Sequence, residues 1–177
     1  AFNTIVADDE LGLLFNKSLE DFGVVAVNQP KTDNFQTARN LIFVTPDGER
    51  TMLTYSGIAE EFGQTDIKYH QIKDYKMVYV EGGIWDNEGK KSKATLRTFN
   101  TAQRVGAQKA FALHDTLYVN KYREQFLELI KNSDLVFCNE KEAFALFKTK
   151  DIDDAVSKFQ KLGKITIMTA SAKGAYI

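Results

Sequence analysis

Asp134-Leu135-Val136-Phe137-Cys138-Asn139-Glu140-Lys141-Glu142-Ala143 runs from a short apolar stretch directly into a helix start. Leu135 to Cys138 has the length and character of a buried strand. Asn139 is a strong N-cap, and Glu142 follows three residues on, where its carboxylate reaches back to the cap. Taken by itself, this Asn-x-x-Glu tetrapeptide is more often a capping box than a metal or phosphate site, so its surroundings decide.

Working outward, the same strand-to-helix rhythm recurs. Met77 to Val80 reads as a strand, about 87 to 105 as a long helix, and Ala110 to Leu113 as a strand. Val119 to Ile130 reads as a helix, followed by the Leu135 strand, helices over Glu140 to Phe147 and Ile152 to Leu162, and a strand at Ile165 to Met168. Strands alternating with helices imply a mainly parallel sheet covered on both faces. Upstream, residues 8 to 22 place Leu11, Leu14, Phe15, Leu19 and Phe22 on one helical face, with acids in the first turn and Gly23 beyond the end. Val24 to Val27 follows as a strand. Asn40 to Thr45 and Arg50 to Tyr55 flank Pro46-Asp47-Gly48-Glu49, a turn that predicts a β-hairpin. Gly57 to Tyr75 is irregular and polar.

The 177 residues suffice for a hydrophobic core, and the net charge of −1 with interspersed signs marks no nucleic-acid or membrane surface. Lys90-Lys91-Ser92-Lys93 reads as a solvated helix face. No apolar run approaches membrane-spanning length, and no signal peptide is visible. Cys138 is the single cysteine, so no intrachain disulfide forms, in keeping with a reducing cytoplasm. Its place in an apolar strand favours a small buried hydrophobe over a nucleophile. No linker or repeat divides the chain, which reads as one α/β domain over 1–177 with a β excursion at about 24–55. The abrupt start at Ala1 and the end inside a strand pattern at Gly174 to Ile177 predict a piece of a longer chain.

Ligands of α/β sheets bind at the carboxyl ends of strands. That rule selects Glu81, His114, Asp115, Asn139, Glu142, Thr169 and Ser171. Plain packing or turn roles stand beside each. Arg50 in the hairpin reads equally as a solvated edge charge or a ligand contact. No His, Cys, Asp and Glu set has zinc-ligand spacing.

Five segments, in order, resemble the PfkB (ribokinase-like) carbohydrate and nucleoside kinases, closest to the adenosine-kinase-like branch. Val6-Ala7-Asp8-Asp9-Glu10-Leu11-Gly12 is similar to the family's strand-helix junction, and Val44 to Met52 to its lid hairpin. Tyr79-Val80-Glu81-Gly82 resembles its Tyr-x-x-Gly strand end, and Asn139 to Glu142 its Asn-x-x-Glu motif. Met168-Thr169-Ala170-Ser171-Ala172-Lys173-Gly174-Ala175 resembles its Val-Thr-x-Gly-x-x-Gly-Ala strand. The resemblance covers essentially the whole chain.

It implies a three-layer α/β/α core with a mainly parallel sheet and a small β-sheet lid, and transfer of the ATP γ-phosphoryl to a sugar or nucleoside hydroxyl. Asn139 and Glu142 would stand beside Mg2+ and phosphate, because phosphoryl transfer needs charge neutralisation more than covalent chemistry. Thr169, Ser171 and Gly174 would meet the nucleotide, and Arg50, Glu81, His114 and Asp115 the substrate or lid. A homodimer through the lid is the implied assembly.

Several features depart from the family. The family's base lies in a Gly-Ala-Gly-Asp segment that also builds an anion hole, which residues 1–177 do not contain; its amino-terminal half-site, with a Gly-Gly-x-x-x-Asn sugar-binding pattern, is missing as well, the stretch of that spelling at 82–87 lying in mid-chain after the Tyr79 strand. No catalytic residue is therefore assigned, and the piece by itself is expected to be inactive. Ser171 stands where the family usually has Gly. Thr37-Ala38 stands near its Thr-Gly, and Leu113 to Tyr118 lacks its Pro-Phe. A non-catalytic nucleotide- or partner-binding descendant of the fold is the alternative. A receiver-like signalling domain, prompted by Ile5 to Glu10, is a further alternative, with the order of the strands against it.

Overall fold

The structure, a computed structural model, describes residues 1–86 and 89–177. Its contacts divide into two units, Ala1–Ile67 and Lys68–Ile177.

In the first unit, helix α1 (Glu10–Asp21) begins at Asp9, whose carboxylate accepts from the Gly12 N–H at 2.8 Å. This is the preferred chemistry for a helix start. Leu14 and Phe22, on the face the periodicity picks out, are exposed. The hairpin forms as anticipated: β1 (Arg39–Val44) pairs antiparallel with β2 (Arg50–Tyr55), Ile42 opposite Met52. The Thr45 N–H closes the turn onto the Glu49 carbonyl at 3.0 Å. Every residue of both strands is exposed.

The strand expected at Val24 to Val27 is not one, nor is the stretch from Ala1 to Val6. Residues 1–7 and 24–31 meet at isolated parallel bridges, Phe2 with Ala26 and Ala7 with Lys31. Between the bridges, the Asn28 side-chain amide donates to Asn3 Oδ1 at 2.7 Å and to the Thr4 carbonyl at 3.0 Å. It takes an acceptor that a continuing ladder would use, and Pro30 has no N–H to give.

In the second unit, β3 (Met77–Glu81), β4 (Gln108–Ala112), β5 (Leu135–Asn139) and β6 (Ile165–Thr169) form a parallel sheet in chain order. The short β7 (Ala175–Tyr176) adds antiparallel to β6. The crossovers carry α2 (Lys90–Val105), α3 (Thr116–Lys121), α4 (Arg123–Lys131), α5 (Glu140–Phe147) and α6 (Ile152–Leu162). The anticipated start of α2 near 87 lies outside the described residues. Because the strands follow one another in order, right-handed crossovers put all these helices on one face. On that face Val80, Phe111, Val136 and Met168 pack against Phe99, Phe126, Ala143, Leu146 and Phe159. The Phe111 and Phe126 rings meet edge to face at 5.2 Å. On the other face, Tyr79 and Ile165 stay exposed within residues 68–177.

One helix was expected over Val119 to Ile130, and two are present. Helix α3 starts earlier because the Asp115 carboxylate accepts from the Tyr118 N–H at 2.8 Å. The break falls at Tyr122, whose φ of −119° and ψ of 30° leave the helical region. Its ring is buried in the core beside Tyr118 and Phe126. The backbone bonds at the break persist, the Tyr122 N–H donating to the Tyr118 carbonyl and the Phe126 N–H to the Tyr122 carbonyl, both at 2.9 Å.

Candidate active site at the strand ends

The turn from β5 into α5 is built by reciprocal bonds. The Asn139 side-chain oxygen accepts from the Glu142 N–H at 2.9 Å, and the Glu142 carboxylate accepts from the Asn139 N–H at 3.0 Å and its side-chain amide at 2.6 Å. The capping box is therefore real, and it holds a carboxylate that is only 5% exposed. Burial pushes the Glu142 carboxyl above the ordinary glutamate value, with the Asp115 charge acting the same way; the Asn139 hydrogen bonds and the His114 charge oppose them. A carboxylate kept dry at a strand end gains more from an arriving cation than a solvated one does. Just before it, burial, aided by the Glu142 charge, pushes the Cys138 thiol up to about 12. That thiol is no nucleophile at neutral pH.

Next to β5, the carboxyl end of β6 brings Thr169 opposite Asn139 in the parallel ladder. The chain then turns through Ser171 and back at Gly174, whose carbonyl accepts from the Ala170 N–H at 2.8 Å. Ser171 has φ +50°, the left-handed region where glycine is at ease. Lys173 reaches back from this turn, its Nζ 3.3 Å from Glu140 Oε1. Asn139, Glu142, Thr169, Ser171 and Gly174 thus gather around two adjacent strand ends.

Glu81, His114 and Asp115 form a second group. Strand β4 ends at Ala112, so His114 and Asp115 are freed from strand alternation and lie together. His114 Nδ1 is 3.9 Å from Glu81 Oε1, and its Nε2 is 3.8 Å from Asp115 Oδ2. Both gaps exceed hydrogen-bond length. The Tyr118 ring meets the imidazole edge-on at 5.4 Å. Gly83 closes the slot from below: a Cβ there would come within 2.6 Å of the imidazole. Arg50 belongs to the first unit and is exposed at the start of β2, opposite Val44.

Two contributors escaped the sequence reading. Lys173 had its signal in being a cation within the strand-end turn from Ser171 to Gly174. Gly83 had its signal in the Gly82-Gly83 pair directly after a strand, which marks close backbone approach. Trp85 is buried in the core. Among the described residues, no group of three or more His, Cys, Asp and Glu is placed to hold a metal, and no helix is long and apolar enough to cross a membrane. The donor set at Asn139 and Glu142 fits a different case, a hydrated Mg2+ that arrives with a nucleotide and takes few protein ligands.

A parallel sheet with its polar residues at the strand ends, plus a small antiparallel sheet, is a ribokinase-like α/β fold, and the comparisons agree. The pfkB family carbohydrate kinase family matches residues 1–177, and the chain belongs to it. The adenosine kinase from Sinorhizobium meliloti superposes with a TM-score of 0.90 at 36% identity, over 97% of this chain and 53% of that one. An ATP-dependent ribose-1-phosphate kinase from Halopiger xanaduensis is 27% identical over 157 residues, 85% of this chain and 49% of that protein. The fructokinase from Vibrio cholerae O395, solved with fructose, ADP and calcium ion, shares the fold at a TM-score of 0.77 and 18% identity, over 98% of this chain and 58% of that one. The chain thus spans about half the length of these relatives.

Proposed function

We propose that residues 1–177 form part of an ATP-dependent kinase that phosphorylates a hydroxyl of a sugar or nucleoside. The observation that carries this reading is the pairing of Asn139 with Thr169 at adjacent strand ends, with the buried Glu142 carboxylate bonded beneath it, in a chain of the pfkB family.

Asn139 and Glu142 would hold Mg2+ through its waters. When bound, that ion supplies neutralisation of phosphate charge and orientation of the transferring group. Thr169 offers a hydroxyl and the Ser171 to Gly174 turn its backbone to the nucleotide. Glu81, His114 and Asp115 present polar groups to the acceptor substrate. The β1–β2 hairpin, with Arg50, serves as the lid that keeps competing water from the phosphoryl group. Its exposed Leu41, Phe43, Met52 and Leu53 suit pairing with a second copy. No residue of 1–177 is assigned as the general base, so turnover is ascribed to the chain together with a Gly-Ala-Gly-Asp segment. A cytoplasmic setting fits the single buried thiol.

The test is an ATP-consumption assay of the protein encoded by the full reading frame, against a panel of nucleosides and of furanose and keto sugars, with residues 1–177 assayed alongside. Turnover by the full-length protein and none by residues 1–177 is the expected result. ATP binding without turnover on any acceptor would favour a non-catalytic nucleotide-binding protein. Comparable turnover by residues 1–177 would overturn the assignment of the base.

A further inference from the structure

We infer that Asp9 is a positioning residue that sets the β1–β2 hairpin on its base, by holding the root of β1 to the start of α1. An N-cap needs only one bond, and the Gly12 N–H provides it. Asp9 makes two more: Oδ2 accepts from the Thr37 N–H at 2.8 Å, and Oδ1 from the Thr37 hydroxyl at 2.6 Å. The same hydroxyl accepts from the Ala7 N–H at 3.0 Å. Thr37, two residues before β1, is buried despite its polarity. The junction has no spare room, since a Cβ on Gly12 would lie 2.0 Å from the Ala7 carbonyl oxygen and 2.9 Å from Thr37 Oγ1.

The other strand is rooted at the same place. Two residues past β2, Gly57 adopts φ +48° and its Cα faces the Gln36 carbonyl, where a Cβ would stand 2.2 Å from the oxygen. The Ile58 N–H donates to that carbonyl at 2.9 Å, and the Ile58 side chain is buried with Ile5 and Ala7. Both feet of the hairpin, Gln36-Thr37 and Gly57-Ile58, are thereby fixed to the segment from Ile5 to Asp9. Between the feet, no residue of either strand is buried. A two-stranded hairpin without packing of its own has little independent stability, so its direction is decided at the base. Charge-assisted bonds to a carboxylate are the strongest available there.

The test is residue-resolved amide hydrogen exchange on the full chain. Asp9→Asn keeps a capping residue but loses the charge and one acceptor, Thr37→Val removes the hydroxyl, and Thr37→Ser restores it. Hairpin amides between 39 and 55 should exchange about tenfold faster or more in Asp9→Asn and Thr37→Val, with β3 to β6 unchanged and Thr37→Ser close to wild type. Unchanged hairpin exchange in both variants would overturn the inference, and so would equal acceleration throughout the chain. If Asp9→Asn does not fold, the Thr37 pair decides alone. The effect on turnover rests on the kinase reading: KM for the acceptor should rise in Asp9→Asn, and KM for ATP should not. Absence of turnover in every form would count against that reading and leave the exchange result standing.

Discussion

Asn139 and Glu142 bond each other in both directions across one turn, side chain to backbone N–H from each residue, with a third bond between the two side chains. A capping box alone explains two of these bonds and would be indifferent to charge. In Glu142→Gln the side chain can still accept from the Asn139 N–H, but its amide then faces the Asn139 amide. The expected stability loss is about 1 kcal/mol. Turnover should fall by far more, on the order of a hundredfold, with a raised magnesium requirement. Unchanged magnesium dependence would reduce Glu142 to a cap.

Cys138 supplies a prediction that needs no substrate. Burial pushes its thiol up to about 12, which leaves thiolate scarce at neutral pH. A thiol reagent such as iodoacetamide should leave the native protein unmodified over hours and label it promptly in denaturant. Stoichiometric labelling of the folded protein would show that this strand end opens.

Much of the architecture was legible because its signals are local. The α6 bounds follow from a capped, periodic stretch, and the hairpin follows from a Pro-Asp-Gly turn between strand-forming runs. What failed depended on partners far along the chain. Val24 to Val27 has strand composition, but Asn28 bonds to Asn3 and Thr4 and ends the ladder. The helix also breaks at Tyr122, whose ring is buried in the core. At the site, resemblance marked Asn139 and Glu142, but the slot that Gly83 makes for His114 joins residues on two different strand ends.

That slot is testable by filling it. In Gly83→Ala, a Cβ placed 2.6 to 2.8 Å from three imidazole atoms forces the His114 ring aside. The ring is half-exposed, so it can turn at modest cost, about 1 kcal/mol or less. The imidazole NMR signals should shift, and KM for the acceptor should rise both here and in His114→Gln. A normal KM in both variants would remove His114 from the substrate site.

Asp9 should shape the acid limb of stability. The Thr37 hydroxyl, then the Thr37 and Gly12 N–H groups, hold its carboxyl below the ordinary aspartate value. A depressed acid contributes stability above its unfolded pKa, about 3.9, and loses that contribution as pH falls through the folded value. The melting temperature of wild type should exceed that of Asp9→Asn at neutral pH, and the gap should shrink as pH falls below about 4. A gap independent of pH would assign the effect to packing rather than charge.

Ser171 offers a case in which the chain departs from its family and the backbone records the cost. Its φ of +50° places a side chain in the left-handed region, which costs an L-residue roughly 1–2 kcal/mol. Glycine pays no such penalty, although it gives back part of the gain, about 0.5–1 kcal/mol, through the greater freedom of the unfolded chain. Ser171→Gly should therefore raise stability by a net amount on the order of 0.5 kcal/mol in denaturant unfolding. Ser171→Val, with a branched Cβ in the same conformation, should lower it by more than 1 kcal/mol or so. The turn also follows the strand end assigned to the nucleotide, so removing the side chain lets phosphate approach the backbone more closely, and ATP should bind more tightly to Ser171→Gly than to wild type. If Ser171→Gly gains stability while ATP affinity stays the same, the strain is local to the turn and this backbone does not meet the phosphates. If instead Ser171→Gly loses stability, the serine hydroxyl is stabilising the turn by more than the left-handed backbone costs.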